Sequence, residues 1–176
     1  QKIQWQIHEE ETKDWLEEWK KGFKAFKLVD NFWIIPSWEQ LPNEKVEPIF
    51  IDPGMAFGTG THATTQMASY FLNKFAKKTA VTDFSFLDVG TGTGILAIMA
   101  DKLGFKSVTG LEIDPEARRV AKENIARNQT KNTVISDQLI EEYKPISDVV
   151  IANIIDGVLI QIRKDLIRAT KNGGSL

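Results

Sequence analysis

Residues 86–100 read "FLDVGTGTGILAIMA". An apolar run enters three glycines spaced two apart, and a second apolar run leaves them. The first run, "SFLDVG", has the length and continuity of a buried strand. The second, "TGILAIMADKLG", reads as a helix stopped at Gly104. Glycines between a strand and a helix permit a tight turn and let a ligand approach the backbone without meeting side chains.

Outward from this stretch the chain alternates. "KSVTGLEI" is a strand, and "DPEARRVAKENIARN" a helix with Asp114 as N-cap and Pro115 at its first position. "NTVISD" is a strand followed by a short helix or loop. "SDVVIANI" is a continuous apolar strand. "DGVLIQIRKDLIRATKNG" is a helix with Val158, Leu159, Ile162 and Leu166 at core spacing, and "GSL" starts a fifth strand. Apolar strands alternating with helices predict an α/β fold: a doubly wound, mostly parallel sheet with helices on both faces. Before it, "EEETKDWLEEWKK" (9–21) fits an amphipathic helix, with Trp15, Leu16 and Trp19 on one face and Gly22 at its stop. "FKAFKLVDNFWIIPSW" reads as one or two strands turning near Asp30–Asn31. The expected division is an N-terminal helix-and-strand segment over 1–50 and a ligand-binding domain over 51–176. All five Trp fall in the first 38 residues, and the expectation is that they fill the core beneath this N-terminal layer.

Composition narrows the chemistry. The chain has 176 residues, 42% apolar and 26% charged, as in an ordinary globular domain. Lys+Arg is 22 and Asp+Glu 24, so no broad attraction to nucleic acid or an anionic membrane is indicated. The absence of cysteine excludes disulfides, thiol catalysis and Cys-ligated zinc; with two histidines, no metal site is expected. No signal peptide or membrane span is visible, and the expected location is cytoplasmic. The chain opens on Gln1 and closes on "KNGGSL", so a fragment is expected.

In a doubly wound sheet, ligands sit beyond the carboxyl ends of the strands where strand order reverses. The turn Asp88–Gly94, with Gly90 and Gly92, is therefore the default site. Glu112 ends the next strand, 22 residues after Gly90, where a carboxylate can accept two ribose hydroxyls. The dinucleotide pattern GxGxxG is not met, because Ile95 stands where its third glycine would fall. The lysine of a GxxxxGK phosphate loop is missing as well. The GxGxG spacing resembles the first motif of class I S-adenosylmethionine-dependent methyltransferases. "VISD" resembles their adenine-side motif, with Asp137 near the base.

An earlier stretch, "DPGMAFGTGTHATT" (52–65), resembles the signature preceding the methyltransferase core in the family that methylates ribosomal protein eleven of the large subunit. "DWLEEWKKGFKAFKLVDNFWIIPSWEQLP", "FLDVGTGTGILAI", "GLEIDPEA", "ENIARN" and "DVVIANI" follow in that family's order. The resemblance spans nearly the whole chain. It implies an N-methyltransferase using S-adenosyl-L-methionine, with lysine side-chain and α-amino groups of a large-subunit ribosomal protein as acceptors. Neither nucleic acid nor membrane is expected as a partner. It implies cofactor contacts at Thr65, Gly90 and Glu112. Asn153 would stand at the methionine end as the residue that positions the amine. Asp88, Gly92 and Asp137 complete the expected cofactor set. The first glycine stretch is then a lid or back wall, the second a floor. Thr61 and Thr64 are expected to cap the following helix, and His62 to pack or cap rather than act as a base. The family usually has Asp where Glu112 stands, Cys or Ser at the threonines of the turn, and a small apolar residue in place of Asp156. Its separate N-terminal domain, which grips the ribosomal protein, and the last strands of its sheet are absent from this sequence. Competing readings are a methyltransferase of another amine, RNA or small molecule, a nicotinamide oxidoreductase lacking its usual catalytic set, and a non-catalytic cofactor-binding module.

Overall fold

The computed structural model describes residues 22–42, 45–52 and 60–176. The amphipathic segment 9–21, with Trp15 and Trp19, lies outside the described residues, as does Thr59. The described chain forms two sheets. β1 (Phe26–Val29) and β2 (Phe32–Ile35) make an antiparallel hairpin turning at Asp30, which has φ 52°, as the Asp30–Asn31 signal predicts. β3 (Glu47–Phe50) lies parallel to β2. After α1 (Ala63–Lys78) comes the larger sheet, built from β4 (Ser85–Val89), β5 (Ser107–Leu111), β6 (Thr133–Ser136), β7 (Ser147–Ala152) and β8 (Thr170–Ser175). Its order is β6-β5-β4-β7-β8, all parallel. The crossovers carry α2 (Ile95–Lys102), α3 (Pro115–Asn128) and α4 (Asp156–Ala169). The strand order reverses at β4, so the doubly wound topology read from the alternation is the one observed.

The two faces of the larger sheet carry separate cores. On one face Phe86, Val108 and Val149 pack with α2 and α1, and the small sheet closes over them through Phe32, Ile34 and Ile49. This double cover explains why Ile95 through Ala100 of α2 are all buried, a helix apolar all round. On the other face Leu87, Leu111 and Val150 pack against Ile162 and Leu166 of α4, with Ile140 and Tyr143 from the turn after β6. The described tryptophans depart from expectation. Trp33 is half-buried, and Trp38 is 37% exposed with Nε1 donating to the Phe23 carbonyl. Aliphatic and phenylalanine side chains fill that core instead, because β2 turns Phe32, Ile34 and Ile35 inward.

The end of α4 is a second difference. The expected helix runs to Gly173, yet it stops at Ala169 and β8 begins at Thr170. Thr170 adopts extended backbone while its hydroxyl donates to the Leu166 carbonyl at 2.7 Å, closing the helix without a glycine. Gly173, at φ 79°, lies inside β8, where the register against β7 shifts.

Asp148 of β7 joins three strands. It accepts hydrogen bonds from Ser85 N at 2.9 Å, Ser85 Oγ at 2.8 Å and Lys171 Nζ at 2.6 Å, with its side chain 16% exposed. The Lys171 ammonium, then the Ser85 amide, hold its carboxyl down at about 2. The folded state therefore binds this proton less tightly than the unfolded chain. The stabilisation is complete above about pH 4 and disappears as pH falls through about 2. Replacing Asp148 with Ala is expected to cost about 1–3 kcal/mol in urea unfolding at neutral pH, since the Ser85 amide loses its acceptor. The deficit of Asp148→Asn relative to the parent should shrink between pH 4 and pH 2. A deficit independent of pH would show that the carboxylate's charge contributes nothing.

Candidate functional site

β4, β5 and β7 end side by side, and their carboxyl ends open on a cleft of about 1180 Å³. Of the seven residues expected to contact the cofactor, four line it: Gly90, Gly92, Glu112 and Asn153. Two glycines determine how close the walls come. Gly90 has φ 71°, and a Cβ there would stand 2.4 Å from Ile154 Cγ2, so no other residue fits without moving the β7 exit. Gly110, on β5, lies under Thr91, and a Cβ there would meet Ile135 at 2.6 Å and Thr91 Cγ2 at 3.0 Å. Sequence reasoning passed over Gly110; the only signal was a glycine inside a strand pattern, which marks a close approach.

The glycine turn is closed on itself by hydrogen bonds. Gly90 N and Thr91 N both donate to the Leu111 carbonyl, at 2.8 and 3.0 Å, and Gly94 N donates to the Thr91 carbonyl at 2.9 Å. Gly92 N donates to Glu112 Oε2 at 2.9 Å, while Glu112 Oε1 accepts from Asp114 N at 3.0 Å. Glu112 is thus aimed at the turn, with acceptor capacity left on both oxygens. Arg118 holds the backbone here, Nη1 donating to the carbonyls of Glu112 and Ile113.

Asp88 and Thr65 stand behind the wall rather than in it. Asp88 is 1% exposed and accepts from Thr91 Oγ1 at 2.5 Å beneath the turn. Thr65, in the first turn of α1, is 1% exposed, and its Oγ1 accepts from Asn153 Nδ2 at 3.1 Å. That bond orients the Asn153 amide and leaves its oxygen as an acceptor. The helix start is capped by His62, whose Nδ1 accepts from Thr64 N at 3.3 Å and sits 2.7 Å from Thr64 Oγ1. The capping expected of Thr61 and Thr64 falls to the histidine between them, and His62 and Thr64, not Thr65, reach the cleft. Asp137 is exposed and is not part of the lining, which at this level is Gln138, Leu139 and Ile140.

Sequence reasoning also missed two apolar lining residues. Ile113 is 65% exposed and Leu139 45%, both in the cleft and both large side chains left in solvent. For Ile113 the signal was an aliphatic residue directly after the strand-ending acid; Leu139, two residues after Asp137, gave none. Electrostatically the cleft has one sign: Glu112, Asp114, Glu116, Glu141 and Asp156 line it, and no Lys or Arg does among the described residues. The described residues also contain no cluster of His, Asp and Glu suited to a metal ion.

Burial raises the Asp88 carboxyl to about 7; the Thr91 hydroxyl opposes the rise and the Glu112 charge adds to it. The folded state keeps this proton up to about pH 7 while the unfolded chain releases it near pH 4. Stability therefore falls as pH rises through that window, by up to about 1.4 kcal/mol per unit. Asp88→Asn keeps an acceptor for Thr91 and has no proton to lose. Its urea midpoint should gain on the parent's between pH 5 and 8, and parallel profiles would show that Asp88 stays ionised.

Comparison with known proteins agrees with this geometry. The family described as "Ribosomal protein L11 methyltransferase (PrmA)" matches residues 1–176. A protein named ribosomal protein L11 methyltransferase from Ruminiclostridium cellulolyticum is 45% identical over 166 residues, covering 90% of this chain and 51% of that protein. One of the same name from Carboxydothermus hydrogenoformans is 43% identical over 172 residues, 96% of this chain and 55% of that protein. A solved structure of ribosomal protein L11 methylase from Lactobacillus delbrueckii subsp. bulgaricus superposes with a TM-score of 0.75 at 34% identity, covering 86% of this chain and 77% of that chain. A putative RNA methyltransferase from Pyrococcus horikoshii, at TM-score 0.56 and 23% identity over 68% of this chain and 62% of that chain, shares the fold. This chain spans about half the length of the curated relatives it matches. With the strand order, the glycine turn and a match along its full length, the chain belongs to the ribosomal protein L11 methyltransferase family.

Proposed function

We propose that this chain is the S-adenosylmethionine-binding, methyl-transferring part of an enzyme that methylates lysine side-chain and α-amino groups of ribosomal protein L11. The observation that carries this reading is a carboxylate, Glu112, aimed across a glycine turn in which the amides of Gly90, Thr91, Gly92 and Gly94 already donate within the protein. A pyrophosphate needs free N–H groups converging on it, usually helped by a cation. Here Gly90, Thr91, Gly92 and Gly94 all donate within the protein, and the cleft carries five carboxylates. Such a site favours an uncharged ribose diol on a cationic ligand over NAD or ATP. Glu112 holds the diol, and Ile113 and Leu139 offer apolar surfaces to a flat base. Asn153 serves the methionine end, steadied by Thr65. Residues, charge and shape thus fit the donor.

When bound, the donor supplies a methyl group on positively charged sulfur. The protein must bring a neutral amine to it. A lysine with a free pKa near ~10.4 arrives protonated. The carboxylates at the cleft mouth, Glu116, Glu141 and Asp156 among them, attract that cation. Ile154 and Ile155 line the wall beside Asn153, Ile155 with 72% of its surface exposed. Once the incoming protein covers this apolar wall, desolvation favours the neutral amine. The Asn153 oxygen accepts one N–H and turns the lone pair toward the reaction axis. The ammonium proton passes to water at the open mouth of the cleft, and orientation and desolvation then carry the rate without a dedicated base.

Calorimetric titration with S-adenosylhomocysteine, NAD and ATP in parallel tests the donor. The thioether nucleoside should bind and the phosphorylated ligands should not; tight binding of NAD alone would overturn the reading. Glu112→Ala should weaken binding ten-fold or more, the loss of about 1.5–3 kcal/mol for a hydrogen bond to a charged acceptor. Asn153→Ala should lower kcat on the ribosomal protein by about 100-fold, the scale of misaligned reactants. Parent-level turnover in that variant would remove Asn153 from its role.

A further inference from the structure

The stretch "ENIARN", residues 123–128, has no part in the function proposed above, yet it forms a continuous polar connection on α3. Asn124 is 1% exposed, and its Nδ2 donates to the Thr93 carbonyl at 2.9 Å, inside the glycine turn. One helical turn later Asn128 grips β3 as a neighbouring strand would. Phe50 N donates to Asn128 Oδ1 at 2.9 Å, and Asn128 Nδ2 donates to the Phe50 carbonyl at 2.7 Å. The same Nδ2 reaches the Asn124 carbonyl at 2.9 Å. Arg127 links Asn124 to Asp52, Nη1 donating to Asn124 Oδ1 at 3.3 Å and Nη2 pairing with Asp52 Oδ2 at 2.9 Å. Asp52 Oδ1 in turn accepts Ser37 N at 2.7 Å, after β2.

Buried amides are costly to desolvate, and aliphatic packing alone could hold α3 in place. What the asparagines add is position. Neither lines the cleft, yet one fixes the carbonyl of Thr93 and the other fixes the strand that leads toward α1. α1 carries Thr65, which orients Asn153. The turn that seats one part of the donor and the small sheet from which the chain passes to Thr65 are therefore referenced to the same two side chains.

We infer that Asn124, Arg127 and Asn128 are positioning residues that couple occupation of the glycine turn to the seating of β3. The inference rests on the donor reading above. Coupling of this kind is reciprocal: if β3 seating favours the ligand, the ligand favours β3 seating by the same factor. A merely structural role predicts something else, a lower melting temperature with unchanged affinity in whatever fraction is folded.

The test is S-adenosylhomocysteine titration of the parent and of Asn128→Ala, well below the melting transition. Amide hydrogen exchange at Phe50 is followed with and without ligand. In the parent, ligand should slow exchange at Phe50 by about ten-fold, beyond any change at the β8 amides. In Asn128→Ala, the Kd should rise about five-fold or more, the lower range of such couplings, although the residue is outside the cleft. Asn128→Asp, which keeps the acceptor for Phe50 N, should recover part of the loss. If Asn128→Ala does not fold, Arg127→Ala replaces it, because its pair with Asp52 is partly exposed. That variant should blunt the ligand response at Phe50. A Kd within two-fold of the parent in folded Asn128→Ala, or an undiminished Phe50 response in Arg127→Ala, would overturn the coupling while leaving the donor reading intact. Failure of the parent to bind S-adenosylhomocysteine would instead overturn the donor reading itself, and the coupling with it.

Discussion

The hydrogen bond from Gly92 N to Glu112 Oε2, 2.9 Å long, is the constraint around which the site is arranged. With the bonds from Gly90 N and Thr91 N to the Leu111 carbonyl, it joins the turn after β4 to the end of β5. The other carboxylate oxygen holds Asp114 N, and Asp114 caps α3 by accepting Ala117 N at 2.7 Å. One side chain thereby ties together the floor of the cleft, the end of a strand and the start of a helix. A glutamate can do this because its extra methylene lets two oxygens reach amides on opposite sides.

What the sequence discloses about the fold follows from periodicity. Uninterrupted apolar strands such as 85–89 and 147–152 are legible because burial on both faces removes polar alternation, and Asp114–Pro115 marks a helix start by capping chemistry. The end of α4 is not legible in the same way. Thr170 can close a helix by back-bonding or continue it, and what decides is Asp148, 23 residues away, which holds Lys171 against β7. Among the residues that line the cleft, Gly90, Gly92 and Glu112 are signalled by spacing along one chain, whereas Asn153 is signalled only by the family resemblance. Thr65, Asp88 and Asp137 required knowledge of which way a side chain faces, and periodicity is silent on that at strand ends and in loops. Gly110, Ile113 and Leu139 depend on cross-strand neighbours, which a linear pattern does not contain.

The burial of Asp88 shows how the layers depend on one another. A carboxyl at 1% exposure below a turn already facing the Glu112 carboxylate would be costly if both were charged. The Thr91 hydroxyl offsets part of that cost, and Thr91 is held over β5 because Gly110 leaves room for it. A threonine in the turn, a glycine in the neighbouring strand and an acid beneath form one unit. Exchanging any of them for a residue acceptable by local propensity would disturb the other two.

A strand, a glycine turn and a helix recur in enzymes that bind quite different nucleotides, so fold alone assigns no chemistry. The discriminating quantity is where the amides of the turn go. In a phosphate-binding turn they point outward and wait for an anion. Here two converge on the Leu111 carbonyl, one on Thr91 and one on Glu112. These four amides are not available to a phosphate, and the recognition they leave to the turn belongs to the carboxylate. Hydrogen-bond accounting at four amides thus weighs between two ligand classes that the topology of the whole sheet does not distinguish.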